Sequence, residues 1–141
     1  MRILAIDFGE KRIGLALSDP LGFTAQGLQT LERQNIKQVI AHIAETVKNN
    51  QVGEIVIGLP VNMDGSQGFK AQEVLKFIPQ LQIAAGVPVN TWDERLTSRE
   101  ASRLMIEEGL SRKKQRANSD RLAATLILQN YLEFKRPKGL S

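Results

Sequence analysis

The sequence predicts a three-layer α/β fold whose mixed five-stranded sheet has three antiparallel strands, then two parallel ones, with helices on both faces. Two observations favour this class. Short apolar runs separated by turn residues open the chain, and strand-like segments then alternate with helical ones. The chain has 141 residues, 42% hydrophobic and 24% charged, which is the balance of one soluble core. We therefore expect a single domain over residues 1–141.

The first thirty residues predict an antiparallel meander. The apolar runs 2–8 and 12–18 are separated only by residues 9–11. A third strand-like stretch, 24–31, follows the turn signal at 19–22. Short apolar runs joined by such turns are typical of strands that pair with their chain neighbours.

Two helix–strand repeats follow the meander. Apolar residues at helical spacing between Ile36 and Val47 predict a helix that ends near Asn50, before a buried strand at 54–57. A second helix is expected over Phe69–Ala85, and a strand over Val87–Trp92. A helix between two strands is the usual connection of a parallel pair.

The last third of the chain predicts two more helices. Thr97 and Glu100 have the spacing of a capping box, so a helix is expected from there to Gly109. After a basic loop at 110–117, a final helix is expected from about Ser119 to Phe134. Pro137 prevents that helix from continuing.

Composition excludes several function classes. The chain has no cysteine and one histidine, His42, so disulfides, thiolate catalysis and cysteine-based metal sites are excluded. No apolar run approaches the roughly 20 residues of a membrane span, and we expect a cytoplasmic protein with no membrane partner.

Residues 1–94 hold 8 basic and 10 acidic residues, whereas residues 95–141 hold 11 and 5. The basic last third favours a polyanion such as nucleic acid, with a solvated positive face as the alternative.

Three acidic residues form the candidate catalytic and metal-binding set. Asp7 lies in an otherwise apolar strand, where an ionised carboxylate needs a compensating partner, and Gly14 across the hairpin leaves space beside it. Glu94 follows a parallel strand, at the edge where open α/β sheets bind ligands. Asp120 lies in the first turn of the last helix, where it could also simply stabilise the helix dipole.

These carboxylates predict a divalent cation. If Ala123 and Ala124 let the last helix approach the first strand, Asp120 comes close to Asp7. Clustered carboxylates repel each other unless cations bind, and an all-oxygen ligand set favours Mg²⁺ or Mn²⁺. Two such ions about 4 Å apart activate a water and stabilise the leaving oxygen of a phosphodiester.

Basic residues near the acidic set are the candidate nucleic-acid contacts. Positive side chains beside a metal site can hold a phosphate backbone, although a short basic run alone can be an ordinary solvated loop. The candidates are Lys11, Arg12, Arg95, Arg99, Arg112, Lys113, Lys114 and Arg116. Trp92 could stack on a base, but an aromatic residue at a strand end more often packs against its neighbours.

Four blocks of sequence resemble the YqgF/RuvX family. They are DFGEKRIGLALSD (7–19), IGLPVNMDGSQG (57–68), WDERLTSREA (92–101) and KK…DRLAATLILQNYL (113–132). The resemblance implies a ribonuclease H-like fold. It also implies a nuclease, described both as a Holliday-junction resolvase and as an enzyme that matures the 5′ end of precursor 16S rRNA. Asp7, Glu94 and Asp120 match the family's carboxylates, and Lys11, Arg12 and Arg95 match positions that contact phosphate.

The sequence differs from RuvC-type resolvases in two places. Those enzymes carry a glutamate on the fourth strand, where this chain has Gly58, and end with two acidic residues three apart. Here Ala117 and Ala123 stand on either side of Asp120. The second carboxylate must therefore come from the neighbouring strand, through Glu94.

Three functions stay open at this stage. The leading prediction is a Mg²⁺- or Mn²⁺-dependent phosphodiesterase that processes precursor rRNA in ribosome biogenesis. One alternative is a resolvase of branched DNA. The other is a ribosome-assembly factor that binds nucleic acid, with precursor ribosomal particles as candidate partners, without cutting it. A monomer and a homodimer are equally compatible with the sequence.

Overall fold

A computed structural model describes the backbone of residues 1–96 and 112–135 and the side chains of residues 1–95 and 122–135. It confirms a mixed α/β architecture. The strands are β1 (Arg2–Phe8), β2 (Arg12–Ser18), β3 (Ala25–Gly27), β4 (Leu31–Glu32), β5 (Val52–Leu59) and β6 (Val89–Asp93). The helices are α1 (Ile36–Asn49), α2 (Phe69–Ala85) and α3 (Arg112–Lys135), and a 3₁₀ turn covers Glu94–Leu96.

The described strands form one mixed sheet in the order β3-β2-β1-β5-β6, with β4 also paired to β2. Strands β1 and β2 are antiparallel, whereas β5 is parallel to both β1 and β6. The third predicted strand is split into β3 and β4, both antiparallel to β2, so the sheet has six strands rather than five. Between them the amide of Leu28 still donates to the Leu15 carbonyl at 2.8 Å.

Each face of the sheet is covered by a separate apolar core, because strand side chains alternate between faces. One core joins the even-numbered residues of β1, such as Leu4 and Ile6, to α1 and α2. The other joins Ile3 and Ala5 to α3. Helix α1 begins where the Asn35 side chain accepts a hydrogen bond from the Gln38 amide, a standard N-cap. Helices therefore lie on both faces, as predicted.

The last helix begins earlier than the sequence predicts. It starts at Arg112, so residues 112–117 are helical and do not form a loop. The prediction that Asp120 lies in the first turn is therefore wrong, since position 120 is in the third turn, beyond the reach of the helix-terminus dipole effect. Arginine, lysine and glutamine are good helix formers, and no glycine or proline interrupts 112–135. The expected helix from Thr97 to Gly109 and the residue Arg99 lie outside the described residues. Among the helices that the structure does describe, none is long and apolar enough to cross a bilayer.

A polar cluster fixes α3 on the sheet. The Glu54 carboxylate accepts hydrogen bonds from the Tyr131 hydroxyl, from Asn90 Nδ2 at 2.7 Å and from Lys135 Nζ at 2.5 Å. Burial alone would raise the pKa of Glu54, but these three donors hold the pKa below its ordinary value. The carboxylate is therefore charged and compensated, and it holds the last turns of α3 near the start of β5.

Replacing Tyr131 with Phe should lower the free energy of unfolding by about 1.5 to 3 kcal/mol. The substitution keeps the buried ring but removes the hydroxyl that donates to Glu54, and a hydrogen bond to a charged group contributes roughly that amount. Urea unfolding of both proteins measures the difference. An unchanged midpoint would show that the cluster does not hold α3.

Candidate active site

Asp7 and Glu94 meet at the carboxyl edge of the sheet. Asp7 is near the end of β1, on the α3 face with Ile3 and Ala5, and its cross-strand partner is Gly14, as the sequence predicts. Glu94 follows β6 in the 3₁₀ turn, and its side chain is hydrogen-bonded to the Asp7 carboxyl group. Two of the three predicted catalytic carboxyl groups are therefore in direct contact.

Gly58 makes room for Glu94. A β-carbon at this position on β5 would lie 2.7 Å from Glu94 Oε1 and 2.9 Å from Glu94 Cγ. It would also lie 2.8 Å from Ile127 Cδ1 on α3. The Glu94 side chain thus occupies the space over Gly58. The sequence showed the glycine but not the side chain that fills its place.

The protonation state of Asp7 depends on its surroundings. Burial raises the pKa of this carboxyl most, and the hydrogen bond and the negative charge of Glu94 raise it further, to about 8. Without a cation the two groups therefore share a proton, because two adjacent carboxylates cannot both ionise easily. A bound cation would replace that proton.

A cavity of about 190 Å³ opens beside the acidic pair. Its lining is mostly charged and comes from the ends of β1 and β5, the β1–β2 turn and the first turns of α2. The lining residues are Asp7, Phe8, Gly9, Glu10, Arg33, Pro60, Lys70, Glu73 and Glu94. Two ion pairs cross it, Glu10 with Lys70 at 3.0 Å and Arg33 with Glu73. Sequence reasoning missed Arg33, Lys70 and Glu73, whose spacing along the chain carries no motif.

Three of the predicted nucleic-acid contacts have described side chains. Lys11 is exposed in the β1–β2 turn, and Arg12, the first residue of β2, lies on the same sheet face as Gly14. Arg95 is held by the Asp93 carboxylate, with Nη2 2.6 Å from Oδ2, and Nη1 donates to the carbonyls of Asn62 and Met63 at 3.4 and 3.3 Å. Arg95 thus ties the 61–68 loop to the end of β6.

The other predicted contacts are placed only by their backbone. Arg112, Lys113, Lys114 and Arg116 lie in the first turns of α3, and their side chains are outside the described ones. His42 is exposed on α1. Trp92 packs edge-on against Tyr131 and Phe134, with ring centroids 6.1 and 5.9 Å from its own. It therefore packs against its neighbours, which is the alternative to stacking on a base.

The direction of α3 carries its N-terminal part toward the carboxyl edge of the sheet, where the acidic pair lies. Tyr131 contacts Glu54 near the start of β5, whereas Ile127 lies over Gly58 near its end. The helix therefore runs antiparallel to β5, and residues before Ile127 extend beyond the carboxyl edge. Position 120 is about 10 Å further along the axis and four residues before the buried Ala124, on the same helix face. The side chain of Asp120 is not among those described, and the described side chains include no cluster of three or more acidic or histidine ligands.

Comparison with known proteins identifies the family. A family model described as "RuvX: Holliday junction resolvase" matches residues 1–134. The chain belongs to the RuvX family. Relatives in this family include a protein of Moorella thermoacetica, 50% identical over 140 residues that cover 99% of this chain and 100% of the relative. Another, of Clostridium acetobutylicum, is 51% identical over 132 residues, 94% of this chain and 98% of the relative. Both carry the name "Putative pre-16S rRNA nuclease".

Solved structures show that this RuvX chain shares the fold of resolvases. RuvC of T. thermophilus, in complex with a Holliday junction substrate, matches 95% of this chain and 96% of its own at a TM-score of 0.60 and 18% identity. The Fowlpox virus resolvase, also in a junction complex, matches 95% and 98% at a TM-score of 0.54 and 16% identity. At such identities the likeness concerns the fold, and it confirms the ribonuclease H-like architecture expected from the sequence.

Proposed function

We propose that this RuvX chain is a nuclease that depends on a divalent cation and hydrolyses phosphodiester bonds in structured nucleic acid, with Asp7, Glu94 and Asp120 as its catalytic and metal-binding residues. The contact between Asp7 and Glu94, at the edge of a charged cavity, carries the proposal. The family and its relatives, which are named nucleases, support a hydrolase of this class.

The donor set fits Mg²⁺ or Mn²⁺. Mg²⁺ is usually held by one or two carboxylates together with substrate phosphates and waters, so Asp7 and Glu94 form a sufficient protein contribution. The raised pKa of Asp7 also favours a cation, because a positive charge at the pair would offset the repulsion between two ionised carboxylates. Asp120 would supply a third oxygen ligand from the third turn of α3. When bound, such a cation lowers the pKa of a water and stabilises the leaving oxygen of the phosphodiester.

The chain's own residues would orient the substrate. Lys11 and Arg12 flank the end of β1, where they would hold the phosphates next to the scissile bond. From the first turns of α3, the side chains of Arg112, Lys113, Lys114 and Arg116 would contribute to a basic surface on this side of the sheet, and Arg99 would add to it. Arg95 would act through the 61–68 loop that it holds, since its guanidinium is already engaged by Asp93.

Precursor 16S rRNA is the preferred substrate, and branched DNA is the second candidate. The relatives that cover nearly the whole chain at about half identity carry an rRNA nuclease name, whereas the resolvases share only the fold. Contacts to phosphates are the same for RNA and DNA, so contacts to the bases and sugars must determine which of the two is cleaved. Processing of precursor rRNA would place the protein in the cytoplasm, on precursor ribosomal particles.

Cleavage assays with the purified protein test this function. Labelled precursor 16S rRNA, a four-way DNA junction and a linear duplex are each incubated with Mg²⁺ or with a chelator. We expect cleavage of the rRNA that requires the cation. Glu94→Gln should lower the rate at least about 100-fold, because it removes a ligand charge. Glu45→Gln, an exposed substitution on α1, is the control and should cleave like the wild type.

The remaining outcomes separate the alternatives. Cleavage of the junction in preference to the rRNA would favour a resolvase. Binding of RNA by the wild type and by Glu94→Gln, with cleavage by neither, would contradict the nuclease and favour an assembly factor that does not cut.

A further inference from the structure

Arg33 is a half-buried arginine beside the candidate active site. It follows β4 in the chain, and its side chain, 18% exposed, lines the same cavity as Asp7 and Glu94. A guanidinium so placed has lost much of its hydration and must find several partners in the protein. The partners of Arg33 are all parts of the wall around the acidic pair.

Arg33 holds the β1–β2 turn at two points. Its backbone amide donates to the Lys11 carbonyl at 3.0 Å, and its Nη1 donates to the Gly9 carbonyl at 2.9 Å. The turn begins two residues after Asp7 and contains Lys11. One residue, distant in sequence, therefore fixes both the end of the strand that carries the carboxylate and the start of the basic surface.

The guanidinium is itself fixed by packing and charge. Its central carbon lies 4.1 Å from the centroid of the Phe8 ring, and Phe8 in turn packs on Phe77 of α2 at 4.5 Å between centroids. Its Nη2 forms an ion pair with Glu73, also on α2. An arginine that stacks and bonds in this way has little freedom to move, so it makes a rigid support.

We propose that Arg33 is a positioning residue, which holds the turn after Asp7 so that the Asp7 carboxylate is preorganised for the divalent cation. This inference rests on the proposed function and concerns the same site.

The physical reason is that the cation can be bound only where its ligands are already in place. Gly9 has no side chain to restrain it, and a turn with a free glycine samples many backbone conformations. Some residues do not touch the metal but hold its ligands in place. Their removal commonly lowers metal affinity or activity by 10- to 100-fold.

The test compares Arg33→Lys with Arg2→Lys. Both substitutions keep a positive charge and remove a guanidinium that donates to a carbonyl of the β1–β2 hairpin, but Arg2 binds the Ser18 carbonyl at the opposite end of β1. Titration calorimetry with Mn²⁺ alone should show a dissociation constant about tenfold higher for Arg33→Lys and unchanged for Arg2→Lys. On precursor rRNA, Arg33→Lys should lower kcat and leave KM nearly unchanged, because no phosphate contact is lost.

A second variant decides the matter if Arg33→Lys does not fold. Glu73→Gln keeps the shape of the side chain but removes the ion pair that anchors Arg33, so Mn²⁺ binding and kcat should fall in the same direction. Wild-type affinity and kcat in both folded variants would overturn the positioning role and leave the nuclease intact. A wild type that neither binds Mn²⁺ nor cleaves would overturn the proposed function and, with it, this inference.

Discussion

Asp7→Asn is expected to make the metal-free protein more stable near pH 8 while abolishing cleavage. Burial and the neighbouring Glu94 raise the pKa of Asp7 to about 8, whereas in the unfolded chain it has its ordinary value of 3.8. The stability that the protonated carboxyl contributes is fully present below the unfolded value. It is lost as the pH rises toward 8, by at most about 1.4 kcal/mol per pH unit. Asparagine has the same shape and never ionises, so it avoids this loss.

Thermal melting in a chelating buffer measures the effect. We expect Asp7→Asn to melt at least about 4 °C above the wild type near pH 8, and the two to converge only below the unfolded pKa of 3.8. Millimolar Mn²⁺ should then raise the melting temperature of the wild type and not of the variant, by binding linkage.

Asp19→Asn is the control for this prediction. Hydrogen bonds from the backbone of the β2–β3 turn, from Thr24 above all, lower the pKa of Asp19. Its charge therefore favours the folded state, and the substitution should not raise the melting temperature. If Asp7→Asn melts no higher than the wild type near pH 8, then Asp7 is not under strain and the case for a cation at this pair is lost.

The sequence was sufficient for the Asp7 side of the site. The two apolar runs and the short turn at residues 9–11 between them determine which residue faces Asp7 across the hairpin, and Gly14 does so. The carboxyl edge of the parallel strands likewise placed Glu94 near Asp7. Local patterns sufficed here because hairpin pairing and parallel crossovers follow general rules.

The supports of the site could not be predicted in the same way. Arg33 contacts Gly9, 24 residues earlier, and Glu73, 40 residues later, and nothing in the local pattern of Arg33 selects these partners. Such contacts depend on how the segment after β4 and the helix α2 pack on the same side of the sheet. The basic run predicts a loop up to residue 117, but α3 already begins at Arg112, because arginine, lysine and glutamine are good helix formers.

Gly58→Ala should lower the cleavage rate strongly while the protein still folds. The new β-carbon would lie 2.7 Å from Glu94 Oε1, closer than atoms can stay, so the Glu94 side chain must move away from Asp7. A misplacement of about 1 Å in a catalytic group can lower a rate about 100-fold, and we expect a loss of at least this size. The Mn²⁺ dissociation constant should rise with it, since Glu94 no longer faces the cation.

The effect on stability should be smaller than the effect on activity. The atoms that must move belong to side chains and not to the backbone, namely those of Glu94 and Ile127, so overpacking should lower the free energy of unfolding by about 1 to 3 kcal/mol. The loss of cleavage therefore has to be measured on protein shown to be folded by its urea transition.

Gly53→Ala is the matched control on the same strand. Its β-carbon would come within 2.8 Å of the Met1 sulfur, another flexible side chain, but at the opposite end of β5 from the acidic pair. Gly53→Ala should therefore reproduce the stability loss and keep both Mn²⁺ binding and cleavage. If Gly58→Ala cleaves as well as Gly53→Ala, the carboxylate that reaches over Gly58 is not a ligand. The second oxygen donor must then come from another element of the chain.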